Sequence, residues 1–349
     1  MKILFITQKV DKNDDVLGAY HRWVEKMAER FERVSVICLY KGRVEMPGNV
    51  FIHSLGKEEG LSKLKYFCNF YKFLWLWRRE YDSVLVHMNP VYVILGGLLW
   101  KITGKHIFMW YNHPKGNLMV RLGIILSDRV FCTSPFSFAG KFNKTAIVSV
   151  GVDINIFDKH RELSKLKNSI LCLGRISVVK NIEILIRAAE ILDSEGLDFV
   201  VNIVGGAVSE SDKRYLSGIS RMAKDLAGKG KIKFLAPVAN NDTPKIYNEN
   251  GIFVNLTPTG SFDKSIVEAM ACGTPVLVSN KTLESFFSSD MIRLCIFEEN
   301  NPRDLANKIS YLLSVSASFR DNLGENLREI AVRCHSLDNL MNEFLVYIK

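Results

Sequence analysis

The sequence predicts an α/β protein made of two consecutive parallel-sheet domains. Three observations carry this. The chain opens on a strand, a helix and a second strand. The same alternation restarts after residue 168. Between Phe253 and Ser279 a strand, a glycine-bearing loop, a helix and another strand follow one another. Such alternation favours a parallel sheet covered by helices. At 349 residues the chain is also long for one core, so about two domains are expected.

The elements follow in order. Ile3–Ile6 reads as a strand. Gln8 to Leu17 is polar, and Gly18 precedes a helix with Tyr20, Trp23, Val24, Met27, Ala28 and Phe31 at helical spacing. Val34–Tyr40 is the next strand. Tyr66 to Trp77 is strongly aromatic, with Lys63, Lys65, Lys72, Arg78 and Arg79 around it. It reads either as core packing with a solvated basic edge or as an interfacial helix. Val84–His87, His106–Tyr111, the run from Asp128 to Ser134, and Thr145–Val150 are strands, with a helix over Leu95–Trp100.

Val152–Lys167 is polar with no sustained period and reads as the crossing between halves. Ser169–Leu173, Phe199–Val204 and Lys231–Leu235 are then strands. Ile182–Leu192, Ser211–Ala227, Pro244–Glu249 and Pro302–Leu313 are helices, and His335–Ile348 is a final one. The expected division is 1–155 and 156–330, with 331–349 a C-terminal helix returning to the first domain. A crevice between two such domains is a natural ligand site.

Composition narrows the function. Charged residues at 24 % and hydrophobic residues at 48 % are ordinary for a globular protein. The seven cysteines are scattered and form no C-x-x-C pair, so neither a zinc site nor a disulfide framework is expected. Met1–Thr7 enters a strand directly and is too short for a signal peptide. The longest apolar run, Val91 to Trp100, is too short to span a bilayer. A cytoplasmic location is expected, with membrane association at most peripheral. Residues 1–150 hold 22 Lys and Arg against 12 Asp and Glu, and the remainder is close to neutral. That asymmetry suggests an anionic partner for the first half, such as a membrane surface, with solubility the plainer account. No nucleic-acid partner is expected.

Two loops carry the chemistry. Gly174-Arg-Ile-Ser-Val-Val-Lys-Asn181 leaves a strand and enters a helix. Arg175 and Lys180 flank it, and both are placed to converge on one anion. Asn181 is a good N-cap and Glu183 suits the first turn. In the second loop, Gly260 relieves the backbone, and Asp263 or Ser265 caps the next helix. A helix start offers unpaired N–H donors and a positive dipole end, which suits phosphate. Val267, Met270 and Ala271 face the core, yet Glu268 is polar within that run. Either it lies on a solvated helix face or its carboxylate reads sugar hydroxyls. A phosphate seat beside a hydroxyl reader suits a nucleotide sugar.

Gly174-Arg175, Lys180-Asn181, Ile203-Val-Gly205 and Val267-Glu-Ala-Met-Ala-Cys-Gly-Thr-Pro-Val276 together resemble the retaining glycosyltransferases of family 4. Gly151-Val-Asp153 is similar to that family's interdomain loop. The resemblance covers most of residues 147–313. It implies the GT-B fold, two Rossmann-like domains facing each other across a cleft. It also implies metal-independent transfer of a hexose from a nucleoside-diphosphate sugar to a glycan or lipid-linked glycan, with no cofactor. Arg175 and Lys180 would hold the donor diphosphate, and Glu268 the ribose. Backbone around Gly174, Gly205 and the run Gly260, Ser261, Phe262, Asp263, Lys264, Ser265 and Ile266 would complete the donor site. Gly18 and Ala19 would form the loop near donor or acceptor, and His113 would lie near the reacting sugar.

Two departures stand out. The family carries two glutamates with seven residues between them, and here the first position is Gly260, so Asp263 is a candidate for the missing carboxylate. The second glycine usual near Gly18 is Ala19. Two alternatives follow: a nucleotide-sugar epimerase of the same fold, or a catalytically silent homologue that binds nucleotide or glycan. Other classes fall away. G-x-G-x-x-G is absent after the first strand, and neither a P-loop nor D-x-D occurs. Asp11, Asn13 and Asp15 are spaced like a calcium loop. Val16 stands where glycine is needed and Arg22 where a bidentate glutamate is needed, so chance spacing is the better account. His335 is expected to cap the final helix, and His87 to be structural.

Overall fold

Seven parallel strands form the first sheet: β1 (Lys2–Val10), β2 (Arg33–Lys41), β3 (Val50–Ser54), β4 (Ser83–His87), β5 (His106–Trp110), β6 (Arg129–Cys132) and β7 (Thr145–Ile147). Their spatial order is β3-β2-β1-β4-β5-β6-β7, with Ile3 beside Val34 on one side and Ser83 on the other. This computed structural model describes residues 1–14, 17–160, 162–260 and 262–348. Alternation along β1 sorts the helices into two layers. Ile3 and Phe5 pack with α1 (Ala19–Arg30), through Trp23, Val24 and Met27. Leu4 and Ile6 share the opposite core with α2 (Lys63–Leu76), α3 (Pro90–Ile102) and α4 (Leu118–Leu126). Ser62, Asn89 and Asn117 cap those three helices, each accepting from a first-turn amide.

The second sheet has five parallel strands: β8 (Ser169–Leu173), β9 (Val200–Val204), β10 (Ile232–Leu235), β11 (Ile252–Asn255) and β12 (Val276–Val278). Their order is β10-β9-β8-β11-β12. On this sheet α5 (Ile182–Ser194) packs against α6 (Glu210–Met222). A short α7 (Lys224–Gly228) and α8 (Thr243–Glu249) follow. Then come α9 (Lys264–Ala271), α10 (Ser289–Cys295), α11 (Pro302–Ser314) and α12 (Ala317–His335). The α11 helix also packs on α5, and α9 packs on α8 and α12. Contact between α9 and α12 is close. A Cβ on Gly324 would come within 2.1 Å of the Gly273 carbonyl oxygen, so α12 accepts a glycine in its interior.

The chain divides into Met1–Gly151 with Leu337–Lys349, and Val152–Ser336. The division falls at Gly151 and Val152 instead of after 155. The returning segment begins at Leu337 instead of 331, and α13 (Leu337–Tyr347) lies on α1 in the first unit. Trp23 donates its indole N–H to the Gly151 carbonyl at 3.1 Å, and Phe344 joins Trp23 and Trp110 edge to face. Gly151 has φ +73°, and a Cβ there would meet Leu340 at 2.4 Å, so the position requires glycine.

Several elements differ from the sequence expectation. The β3 strand and the helices α4, α10 and α12 were not anticipated, and residues 211–227 break at Ala223 into α6 and α7. His335 ends α12 and caps nothing; it is buried against Phe262 and Phe286. Asp15 and Val16 of the calcium-like spacing lie outside the described residues.

Candidate functional site

In the second sheet the connections from β8 and β11 leave adjacent strand ends. Strand order reverses there, with β9 on one side and β12 on the other. Open parallel sheets bind ligands at such switch points. Cys172, Gly174, Arg175, Lys180, Asn255 and Leu256 line a shallow depression at this point. Gly174 and Gly205, just past the ends of β8 and β9, have φ of +139° and +153°. A Cβ on Gly205 would sit 1.9 Å from the Gly174 carbonyl oxygen. These glycines let two loop backbones touch under the depression.

Lys180 lies in a 3₁₀ turn, Val178–Lys180, and its ammonium forms an ion pair with Asp263. The same carboxylate accepts from Asn255 Nδ2 at 2.9 Å and Thr257 Oγ1 at 3.2 Å. Asp263 is also the N-cap of α9, its other oxygen accepting from the Ser265 amide at 3.4 Å. Burial alone would raise the Asp263 pKa. The charge and hydrogen bond of Lys180, with Asn255 and the Ser265 amide, outweigh burial and hold it at about 2. An internal carboxylate therefore stands at the start of α9, where the dipole favours an anion. The amides of Ser265 and Ile266, expected to serve phosphate, are directed to Asp263.

Arg175 is half exposed and pairs with a different carboxylate, Asp212, at 3.8 Å. Asp212 forms a capping box with Ser209 at the start of α6. Hydrogen bonds from Ser209, its backbone amide first, together with Arg175, hold Asp212 below its ordinary pKa. Arg175 and Lys180 thus line one depression while each is held by its own acid. Asn181 stands at the N-cap of α5 without capping it, because its backbone is left-handed at φ +46°. The Tyr215 hydroxyl from α6 accepts from the Ile182 amide at 2.7 Å and donates to Glu183.

Glu268 is buried, which removes the solvated-face reading; Ser265 through Ala271 are all buried. Tyr247 from α8 donates to its Oε2 at 3.1 Å, and Asn240 Nδ2 to its Oε1 at 3.2 Å. Burial, then the Glu268 charge, push the Tyr247 phenol well above its ordinary pKa and keep it a donor. Gly260 has φ +106°, a conformation that side chains resist. Phe262 is buried against His335, and Lys264 opens α9. Ser261 lies outside the described residues.

The remaining candidates belong to the first unit. Gly18 is the N-cap of α1 at an ordinary φ of −56°, and a Cβ there would meet the Asp14 carbonyl oxygen at 2.4 Å. Ala19 is buried as the first residue of α1. His113 is exposed, its Nδ1 accepting from the Lys115 amide at 3.1 Å. Sequence reasoning missed Asn255, Thr257, Asp212, Tyr215, Asn240 and Tyr247. Asn255 carried a signal, a polar residue closing the apolar strand Ile252–Asn255. The others are single polar residues in helices and loops with no local mark. Among the described residues, no three His, Cys, Asp or Glu side chains gather as a metal cluster.

Two Rossmann-like units, the second with a charged switch-point depression, define a protein of the GT-B class. The structure of Anabaena HepE in complex with UDP and glucose superposes with a TM-score of 0.76 at 17 % identity, covering 100 % of this chain and 99 % of that one. Sucrose-phosphate synthase from Thermosynechococcus elongatus gives a TM-score of 0.76 at 17 % identity, covering 99 % and 98 %. Residues 153–330, just over half the chain, match the family described as glycosyl transferases group 1. The chain belongs to that family.

An alpha-monoglucosyldiacylglycerol synthase of Streptococcus pneumoniae is 26 % identical over 201 residues, covering 53 % of this chain and 43 % of that protein. A D-inositol 3-phosphate glycosyltransferase of Mycobacterium tuberculosis is 28 % identical over 141 residues, covering 38 % and 28 %. The matched stretch spans less than half of either relative.

Proposed function

We propose that the protein is a retaining, metal-independent glycosyltransferase. It moves a hexose from a nucleoside-diphosphate sugar to a glycan or lipid-linked glycan. One observation carries the reading: Lys180 stands at the switch point beside a helix start held by a carboxylate it can leave for a phosphate. The bond from the sugar's anomeric carbon to the diphosphate breaks, and its electron pair stays on the diphosphate. The acceptor oxygen bonds to that carbon and loses its proton. Lys180 and Arg175 neutralise the charge that grows on the leaving diphosphate. Glu268, oriented by Tyr247 and Asn240, reads the ribose hydroxyls. His113 serves the sugar end, and Gly18 and Ala19 form the loop at the donor or the acceptor.

A structural neighbour bound to UDP and glucose supports a nucleotide-sugar donor. A relative named for a glucosyldiacylglycerol supports a lipid acceptor. The basic first half of the chain supports work at an anionic membrane surface. The test is a panel of nucleotide sugars, screened first by thermal shift and then for turnover with and without membrane extract. Acceptor-dependent nucleotide release is expected. Acceptor-free formation of an epimeric sugar nucleotide, or binding without turnover, would overturn the transferase reading.

A further inference from the structure

The α2, α3 and α4 helices form one continuous layer on their side of the first sheet. Phe70, Tyr92, Trp100, Val120 and Ile124 sit in the same core beneath them. Tyr71 on α2 donates its hydroxyl to the Leu95 carbonyl on α3 at 2.8 Å, and α3 packs on α4. The outward side of that layer is unusual. Leu64 and Trp75 on α2, Leu98 and Ile102 on α3, and Leu118 and Ile125 on α4 are between 61 % and 75 % exposed. Single exposed apolar residues are normal, but a set spread over three adjoining helices marks an interaction surface.

Charge selects the partner. The three helices carry Lys63, Lys65, Lys72, Lys101 and Arg121 and no carboxylate at all. From Ser83 to Ser127 the chain contains no Asp or Glu. Of the acids that flank these helices in the chain, Glu58 accepts from Ser54 and the Lys41 amide, Glu80 pairs with Arg33, Asp82 accepts from the Lys2 amide, and Asp128 accepts from the Ile107 amide. Among the described residues none of those five cations has an ion-pair partner. Apolar tips between unpaired cations suit an interface where acyl chains lie beneath anionic headgroups. A second copy of the same face would set cation against cation. Among the described residues no helix is long and apolar enough to cross a membrane, so contact would be from one side.

We propose that the outward face of α2, α3 and α4 docks on an anionic lipid bilayer. The proposal rests on the reading that the basic half works at a membrane, and it assigns that contact to one face. The lysines set the encounter, and Leu98, Ile102, Ile125 and Trp75 enter the headgroup region.

The experiment is flotation of the full chain with vesicles of phosphatidylcholine alone and with one third phosphatidylglycerol. Binding to the anionic vesicles is expected, at least tenfold tighter than to neutral ones and weakened by 0.5 M salt. The triple variant Leu98→Glu, Ile102→Glu, Ile125→Glu should lose at least tenfold, as should Lys63→Glu, Lys65→Glu, Lys72→Glu. Melting temperatures near wild type would show that both variants fold. If wild type ignores anionic vesicles, the membrane reading fails. If wild type binds and both variants bind equally well, the membrane reading stands and this face is wrong. A wild-type dimer that the leucine and isoleucine variant converts to monomer would overturn the proposal in favour of self-association.

Discussion

The ammonium of Lys180 is paired with the carboxylate of Asp263, and that carboxylate also caps α9. One acid therefore restrains both elements expected to hold a donor diphosphate. A phosphate arriving there would exchange an internal anion for its own.

Substitutions at this pair separate binding from folding. Lys180→Ala should lower kcat on the order of a hundredfold, the usual scale for losing a charge at a leaving oxyanion. Asp263→Asn frees the ammonium, so calorimetry should find tighter nucleoside-diphosphate binding. It also removes the hub of Asn255 and Thr257, so urea unfolding should show a loss of about 2 kcal/mol. Weaker nucleotide binding by Asp263→Asn would contradict the exchange.

His335 makes the fold acid-sensitive. Its ring is buried with neither nitrogen hydrogen-bonded, and burial pulls its pKa down to about 4. The unfolded chain takes up the proton first as pH falls, so the folded state is penalised below the ordinary histidine value. Stability from this residue is complete above pH ~6.5 and is lost toward pH ~4, about 3 kcal/mol in all. Denaturant midpoints at pH 7.5 and 4.5 should differ more for wild type than for His335→Leu. Equal pH dependence would remove the assignment.

Gly205→Ala places a Cβ 1.9 Å from a backbone oxygen at φ +153°. Neither backbone can yield, so a loss of about 3 kcal/mol or more is expected. Gly218→Ala in α6 is the control, because nothing lies within 4 Å of the point its Cβ would occupy. There helix propensity should add about 0.5–1 kcal/mol. Thermal melts of the two variants should move in opposite directions.

Tyr247→Phe deletes one donor to Glu268 and leaves the phenyl packing on Phe253. If Glu268 reads ribose, a loosened carboxylate should weaken nucleotide binding by about tenfold, with kcat changing less. A variant with wild-type affinity and a lower melting temperature would mark the pair as purely structural.

Much of the fold was legible because local periodicity reports it. Ile3–Ile6 lies within β1, which runs on to Val10, and the helix starting near Gly18 is α1. By contrast, α12 was missed. Its buried stripe of Leu323, Leu327, Ile330 and Ala331 is thin and is broken by Gly324. That glycine reads as a breaker, whereas it is a contact with Gly273. Within the site, Arg175, Lys180 and Gly260 stood out as charges or a glycine in the loops that follow strands, and Glu268 as a charge within an apolar helical run. Tyr247 and Asn240 did not, because nothing local distinguishes a tyrosine that donates to a buried acid.

By itself the sequence determined the alternation of strands and helices, the two glycine-bearing loops, and the cations and acids that populate them. It also determined the acid-free stretch from Ser83 to Ser127. Only the tertiary structure decided the partners: Lys180 with Asp263, Arg175 with Asp212, Glu268 with Tyr247. It also decided which of the apolar residues on α2, α3 and α4 reach solvent. The physical reason is range. Helical and strand periods arise between residues a few positions apart, whereas Lys180 and Asp263 meet across 83 positions of chain. Such a pairing exists once the sheet has set β8 beside β11.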